Sequence, residues 1–416
     1  MNQYKYPIRY FCGPGLTRYT KQFIDRAIKF FLKNLAVENP ILGKTGIDEV
    51  LLDFNCGLRL QIPEGNWHVR ITEGSSGVVC FDKDVSGVTL ISLEKFYVEW
   101  EITIWKDGTP IFYHQFDPTN QKIHFLFGSN ALGDNIALLP YIEQFRNRFN
   151  CEASIEITET FHDIIRNYYP RLRLTRELPE DCYACFYFAC WIGVPICADN
   201  NGRSMPLNLL GRSILPIAGL SRPSKTIFKP TKPRTIEGKY VCIGVQASYT
   251  PKCWLNSDGW DQVVDYLKSL GYRVLCIDRD RKCTNNNMTV EMSKGAEDFS
   301  GDYTLLDRIN QLAYADFFIG VSSGLSWFAW AVDIPVVMIS GITESWYEFD
   351  TPYRIFNPMV CHGCFNDMRV KFEQVLHCVN YKEASRKYEC SKKISAQRVI
   401  EAIDCLIEER QQSGGS

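Results

Sequence analysis

HFLFGSNALGDNIALLPYIEQF, residues His124 to Phe145, passes from a short apolar strand through a glycine-bounded turn into a helix. His124 to Phe127 is the strand and Gly128 to Gly133 the turn. Beyond Asp134 the apolar residues Ile136, Leu139, Ile142 and Phe145 recur at helical spacing. One carboxylate, Asp134, therefore stands where a strand hands over to a helix. Open α/β sheets place ligand chemistry in the crevice beyond the carboxyl ends of their strands. The alternative is that Asp134 only caps the helix by accepting a bond from a free N–H of its first turn.

Upstream, from Asp48 to about Asp117, the pattern changes to short alternating runs: VLLDFNCGLRLQI, WHVRITE, GVTLISL, YVEWEITIWKDG and PIFYHQF. Turn signals separate them at Pro63-Glu-Gly65, Gly74-Ser-Ser-Gly77 and Lys106-Asp-Gly108, which predicts a small antiparallel barrel or sandwich. None of its residues has catalytic spacing, so recognition or assembly is the role expected of it. Before it, a turn at Cys12-Gly-Pro-Gly15 precedes a basic amphipathic helix over about 21–35, whose apolar residues suit packing.

Downstream, strands and helices alternate. The proline-rich basic segment SRPSKTIFKPTKPRTIEGK separates two such regions, because Pro223, Pro230 and Pro233 have no N–H to give to a helix or sheet. The predicted divisions are a β-rich part over 1–120, an α/β half over 121–235, a second over 236–350 and a cysteine segment with a terminal helix over 351–416. The final QQSGGS reads as a frayed tail. Two α/β domains joined by a linker predict a ligand in the cleft between them.

The second half carries two loops suited to an anion. In GVQASYTPKCW, Gly244 to Trp254, polar residues including Ser248 and Lys252 follow a strand. In GVSSGLSWFAW, Gly320 to Trp330, the small residues Ser322, Ser323, Gly324 and Ser326 lie at a strand-to-helix junction. Free N–H groups and the helix dipole favour a negative ligand there, small residues let a phosphate approach, and a lysine adds charge. Neither loop is a Walker A or G-x-G-x-x-G sequence.

The chain has 416 residues, a net charge of −2, 13% aromatic and 23% charged residues. The balance excludes an electrostatic nucleic-acid footprint, and the composition excludes a disordered chain. Seventeen cysteines do not make a secreted disulfide framework in so long a chain. The count is odd, and MNQYKYPIRYFCG lacks the apolar run of a secretory signal, so a reducing, cytoplasmic setting with mostly free thiols is expected. The apolar run Cys182 to Ala198 is broken by Gly193 and Pro195 and reads as buried core, with Cys182 and Cys185 inside it, and not as a membrane span. Cys361, Cys364, Cys378 and Cys390 are close enough in sequence for a closed tetrahedral thiolate site, structural because it leaves no open position. His362 and His377 flank it and are possible substitutes for one thiolate. Four sulfurs suit zinc or iron, and their spacing does not choose.

GSNALGDNIALLP, GVQASYTPKCW and FFIGVSSGLSWFAWAVDIPVV together resemble the ADP-heptose-dependent heptosyltransferases of glycosyltransferase family 9, in the GT-B class. With the FCGPG start, the β-rich segment and the CHGCF…C…C tail, the resemblance narrows to the bacterial autotransporter heptosyltransferases and covers essentially the whole chain. It implies two facing Rossmann-like halves, with ADP-heptose held mainly by the second. Asp134 corresponds to the family's catalytic aspartate, acting as general base toward a serine hydroxyl with inversion at the sugar. Ser248 and Lys252 correspond to diphosphate contacts, and Ser323-Gly324-Leu325-Ser326 to the donor loop, with Ser322 before it. The subfamily further implies structural iron (Fe3+), one per chain on the four cysteines, no catalytic metal, a ring-like homo-dodecamer, and the passenger domain of a self-associating adhesin as acceptor. Lipopolysaccharide-acting members usually have an aspartate at the position of Ser322 and a histidine at that of Trp327, a departure that fits a different acceptor and heptose isomer. The competing readings are a lipopolysaccharide-core heptosyltransferase and a non-catalytic, metal-stabilised assembly or recognition protein.

Overall fold

A computed structural model describes residues 8–12, 41–92, 96–188, 202–217, 225–285, 288–380 and 382–414. The expected amphipathic helix over 21–35 and the second half of the Cys182–Ala198 run lie outside them. The chain divides into two units, the first comprising 1–129, 141–201 and 210–223, the second 130–140, 202–209 and 224–416.

The first unit is built on an eight-stranded sheet. Its strands are β1 (Ile8–Cys12), β2 (Leu51–Asn55), β3 (Arg59–Ile62), β6 (Val88–Ser92), β9 (Lys122–Phe127), β10 (Glu152–Glu156), β11 (Arg173–Leu174) and β12 (Ala184–Phe188), in the order β1-β6-β3-β2-β12-β9-β10-β11. The other four strands of this unit, β4 (Trp67–Glu73), β5 (Val78–Val85), β7 (Trp100–Lys106) and β8 (Thr109–Gln115), form an antiparallel sheet in the order β5-β4-β7-β8. Part of the β-rich segment thus continues into the α/β region downstream of it, while β4, β5, β7 and β8 keep a sheet of their own. β2 pairs in parallel with β12, Phe54 opposite Ala184, and a single sheet continues from antiparallel hairpins into parallel strands. Sequence reading missed β5, VVCFDKDV, because its charged residues face solvent and hide the alternation.

A turn closes β2 onto β3 with Cys56 and Gly57 at φ of 53° and 96°, where a residue without Cβ costs least. Behind it, Asp53 and Arg59 form a buried fork-to-carboxylate pair at 2.7 and 2.5 Å. The core on the parallel side is aromatic. Phe125 meets Phe145 edge-on at 5.5 Å, and Phe127 stacks on Phe188 at 5.3 Å. All five residues of β12 are buried, as expected of an uncharged run. Cys185 lies in that core with its Sγ 3.9 Å from that of Cys56, while Cys182 is half-buried at its margin.

The second unit holds a six-stranded parallel sheet: β13 (Tyr240–Gly244), β14 (Arg273–Cys276), β17 (Glu297–Asp298), β18 (Phe318–Val321), β19 (Val336–Ile339) and β20 (Arg354–Ile355), in the order β17-β14-β13-β18-β19-β20. The hairpin of β15 (Lys282–Asn285) and β16 (Met288–Glu291) stands outside it. The linker is tied down at Thr231 and Lys232: the N–H groups of both donate to Asn310 Oδ1, and the Tyr314 hydroxyl donates to the Lys232 carbonyl. The core joins sheet residues Val241, Ile243, Phe317 and Ile319 to Val263, Val264 and Leu267 and to Val399, Ile403 and Leu406 near the C-terminus. Each such fully buried aliphatic side chain contributes about 1.5–3 kcal/mol relative to exposure. The C-terminal helix runs Ala396–Gly414, so most of the tail expected to fray continues it.

Candidate active site

The helix predicted to begin near Asp134 spans Leu132–Phe149 (α1), with Asp134 in its first turn, where the partial positive charge of the helix terminus favours a carboxylate. Ile136, Leu139, Ile142 and Phe145 are all buried, as their spacing predicts. Residues 130–140 belong to the second unit. Two glycines bring the start of α1 against the loop after β18. A Cβ on Gly133 would stand 2.7 Å from Trp327 Cδ1, and one on Gly324 would stand 2.7 Å from Leu132 Cβ. The turn that carries Asp134 thereby packs against the helix start at Gly324 to Trp327.

The loop after β13 turns through a short 3-10 segment, Thr250–Lys252, with Pro251 in its first positions. Asp278, 2% exposed, holds its root by accepting from the N–H groups of Val245 at 2.7 Å and Gln246 at 3.3 Å. Burial pushes the Asp278 carboxyl up to about 6 against those bonds. Ser248 is exposed at the tip and Lys252 half-buried, its Nζ 4.9 Å from the centre of the Tyr249 ring. Desolvation works to lower the Lys252 pKa, but the Tyr249 phenol and the carboxylates of Glu348 and Asp134 outweigh it, and the pKa is raised. The ammonium is therefore charged throughout the neutral range, within electrostatic reach of Asp134.

In the third loop Ser323 precedes helix Gly324–Ala331, in extended conformation, and its Oγ is buried with no hydrogen-bond partner among the described residues. Buried hydroxyls are normally paired, so this is the signature of a position completed by something else. Ser326 donates to the Val321 carbonyl at 2.6 Å, and Ser322 donates to Glu348 Oε1. Glu348 is the hub behind the loop. It also accepts from Thr343 at 2.8 Å and pairs with Arg354 at 2.8 Å, both charged side chains being nearly excluded from solvent. Glu348→Ala leaves the Arg354 charge buried and alone, and is expected to cost about 3–5 kcal/mol, read as a large fall in thermal midpoint. Sequence patterning has no signal for Glu348, Asp278 or Arg354, because each acts through a partner remote in sequence.

A carboxylate, an ammonium and a helix start with an unpartnered hydroxyl are thus assembled from three loops that each follow a strand. Such a set is able to accept a proton at one point and stabilise a developing anion at another. Three comparisons with known proteins identify the family. Residues 43–108 match the family "Glycosyltransferase TibC, N-terminal domain", and residues 211–352 match "Glycosyltransferase family 9 (heptosyltransferase)". The autotransporter heptosyltransferase BAHTCr of Citrobacter rodentium is 36% identical over 371 residues, 87% of this chain and 90% of that one. This chain belongs to the autotransporter heptosyltransferases. TibC from enterotoxigenic Escherichia coli H10407, described as an iron-containing dodecameric glycosyltransferase, superposes with a TM-score of 0.84 at 32% identity, over 90% of this chain and 100% of that chain. A second TibC structure, in complex with ADP-D-beta-D-heptose, gives 0.83 at 32%, over 90% and 99%. The family also includes an inactive autotransporter heptosyltransferase, BimC of Burkholderia thailandensis, 29% identical over 86% of each chain. The fold is therefore the GT-B-like fold of family 9 with an N-terminal β domain, and the chain is a glycosyltransferase by family.

In this heptosyltransferase, Trp327 is a packing residue. It is 3% exposed, edge-on to Trp330 at 5.6 Å and to Phe349 at 5.1 Å, with its indole against Gly133. Its ring has no room to withdraw, so Gly133→Ala is expected to displace the Asp134 turn. A shift of about 1 Å at a reacting group costs on the order of 10²-fold in rate, so kcat/KM should fall by about that factor, while overpacking lowers stability by roughly 1–3 kcal/mol.

The heptosyltransferase's cysteine segment braces the lysine loop. Cys361, Cys364, Cys378 and Cys390 are neighbours: burial first, then repulsion from Cys378 and Cys361, takes Cys364 to about 12, burial with Glu389 takes Cys361 to about 11, and burial with the other three thiols raises Cys390. Every cysteine whose side chain is described is a free thiol, and among the described residues no set of three or more His, Cys, Asp or Glu is drawn together tightly enough to hold a metal. His362 turns its Nδ1 to the Val360 carbonyl at 2.9 Å. Ser391, beside Cys390, accepts from the Leu255 N–H at 2.7 Å and donates to the Cys253 carbonyl at 2.5 Å. Buried Arg203, which sequence reading missed, donates to the carbonyls of Val370 at 3.0 Å, Cys364 at 3.3 Å and Asp367 at 2.7 Å, and also to that of Phe365.

Proposed function

We propose that this chain transfers heptose from ADP-heptose to serine hydroxyls in the passenger domain of an autotransporter adhesin, with Asp134 as general base. The observation that carries the residue assignment is that Asp134 and Lys252 stand within electrostatic reach of one another, together with a helix start whose Ser323 hydroxyl lacks a partner among the described residues. Support for the donor is the TibC complex with ADP-D-beta-D-heptose, and support for the acceptor class is the naming of the relatives.

A serine hydroxyl is a poor nucleophile while protonated. Asp134 takes its proton as the oxygen attacks the anomeric carbon from the face opposite ADP, so that configuration inverts. Charge then develops on the departing diphosphate. Lys252, Ser248 and the N–H groups and hydroxyls of Ser323, Gly324, Leu325 and Ser326 are suited to receive it, with Ser322 held behind them by Glu348. No step here calls for a metal at the reacting centre.

The four cysteines are assigned to one structural iron, the metal named for TibC. Their chemistry fits a cation. Neighbouring thiols help to raise the pKa of Cys361, Cys364 and Cys390, a repulsion that a bound cation reverses, and two sulfurs already accept donors, Cys361 from Asn380 Nδ2 and Cys378 from the Tyr388 N–H, both at 3.3 Å. Iron held by Cys361, Cys364, Cys378 and Cys390 would supply a crosslink, fixing the segment that carries Ser391 and, through it, the lysine loop. Elemental analysis of the purified chain is expected to give about one iron per chain, lost in Cys364→Ser together with a fall in thermal midpoint. A homo-dodecamer, as described for TibC, and a cytoplasmic site of action complete the proposal. Among the described residues no helix is long and apolar enough to cross a membrane.

The test is mass spectrometry of a candidate passenger domain co-expressed with this chain in cells making ADP-heptose. A ladder of heptose-sized additions on serine peptides is expected. Additions to truncated lipopolysaccharide instead would reassign the acceptor. Absence of both transfer and donor binding would place this chain with its inactive relative BimC.

A further inference from the structure

A second charged cavity lies in the first unit, at the edge of the sheet where the parallel strands begin. Lys122 opens β9, Glu152 opens β10 opposite it, and Arg173 opens the edge strand β11 opposite Ser154. With Arg146 and Arg171 these residues line a cavity of about 300 Å³. Four of its lining side chains are cationic and one, Glu152, is anionic. Lys122 is engaged by Asp181, and Arg146 by Glu143 at 3.0 Å. Arg171 and Arg173 are exposed and, among the described residues, neither guanidinium has a hydrogen bond or ion pair. His124, two residues along β9 from Lys122, is buried and bonded to Ser154 Oγ at 3.0 Å, its pKa pushed down to about 4 by burial and then by Arg173.

Two unpaired forked donors beside a lysine match the geometry of a phosphate, which accepts paired N–H bonds in one plane. The volume is at the low end for ligand pockets, enough for a phosphorylated group but not for a nucleotide sugar. The cavity opens at the start of β9, whereas the Gly128 turn follows that strand's other end, so the two are separate features of the sheet. We propose that this cavity binds a small soluble ligand carrying a phosphate or diphosphate group, held by Arg171 and Arg173 with Lys122 at the rim.

The experiment is calorimetric titration of the full chain with sodium pyrophosphate in the Lys252→Ala background, which removes the cation of the nucleotide loop. Saturable binding that weakens steeply with added salt is expected. It should fall by about tenfold or more in Arg171→Ser/Arg173→Ser and by less in Arg173→Lys, which keeps the charge but loses the fork. Both arginines are exposed, so the thermal midpoint should not move. Hydrogen exchange should slow on ligand addition at 151–154 and 171–174. Equal binding by the parent and the double variant, or protection confined to other segments, overturns the proposal. So does binding to phosphatidylcholine vesicles containing phosphatidic acid with none to pyrophosphate, since that assigns the arginines to a lipid surface.

Discussion

Asp134→Ala is expected to lower heptose transfer by roughly 10²- to 10⁴-fold, the span that a positioned general base supplies, while leaving ADP affinity largely unchanged. The separation arises from geometry. The carboxylate is in the first turn of α1, and the groups suited to the diphosphate are on the loops after β13 and β18. Asp134→Asn is the stricter test, because it keeps the size and shape of the side chain and removes only the basic oxygen. Turnover near the parent level in either variant would remove Asp134 from the role of base. Loss of transfer with equal loss of ADP binding would make it a binding residue.

Lys252→Ala is expected to lower kcat by about 10²- to 10³-fold, because its charge meets the leaving group in the transition state more strongly than in the ground state. Here ADP affinity should fall as well, in contrast with Asp134. The raised pKa of Lys252 adds a test by pH: the ammonium stays charged well above neutrality, so the parent should show no loss of ADP binding on the alkaline side up to the ordinary lysine range. Lys252→Gln should behave as Lys252→Ala does. A variant that kept parent kcat with a raised KM would show uniform binding and no role in leaving-group stabilisation.

Much of the candidate site was legible from local sequence because its parts are local. A strand-turn-helix around Asp134 and small residues after β18 are read from spacing within a dozen residues, and the structure places them side by side. What escaped were the residues that hold those loops. Glu348 reaches back 26 positions to Ser322, Asp278 reaches 33 to Val245, and Arg203 reaches 161 or more to the cysteine segment. No periodicity encodes such pairs, since each is fixed only when strands pack. β5 was missed for the converse reason, a strand whose residues are mostly at the surface and need no apolar alternation.

By itself the sequence determined the period-2 and period-3.6 stretches, the breaks between them, and which short loops are rich in groups that bind anions, because backbone propensity and burial act over a few residues. Only the tertiary structure decided that the β-rich segment shares a sheet with the parallel strands, that Gly133 and Gly324 let two loops touch, and that Trp327 packs against the Asp134 turn. Pairing between distant strands and close approach of loops depend on which surfaces meet, a property of the whole core that no stretch of sequence carries alone.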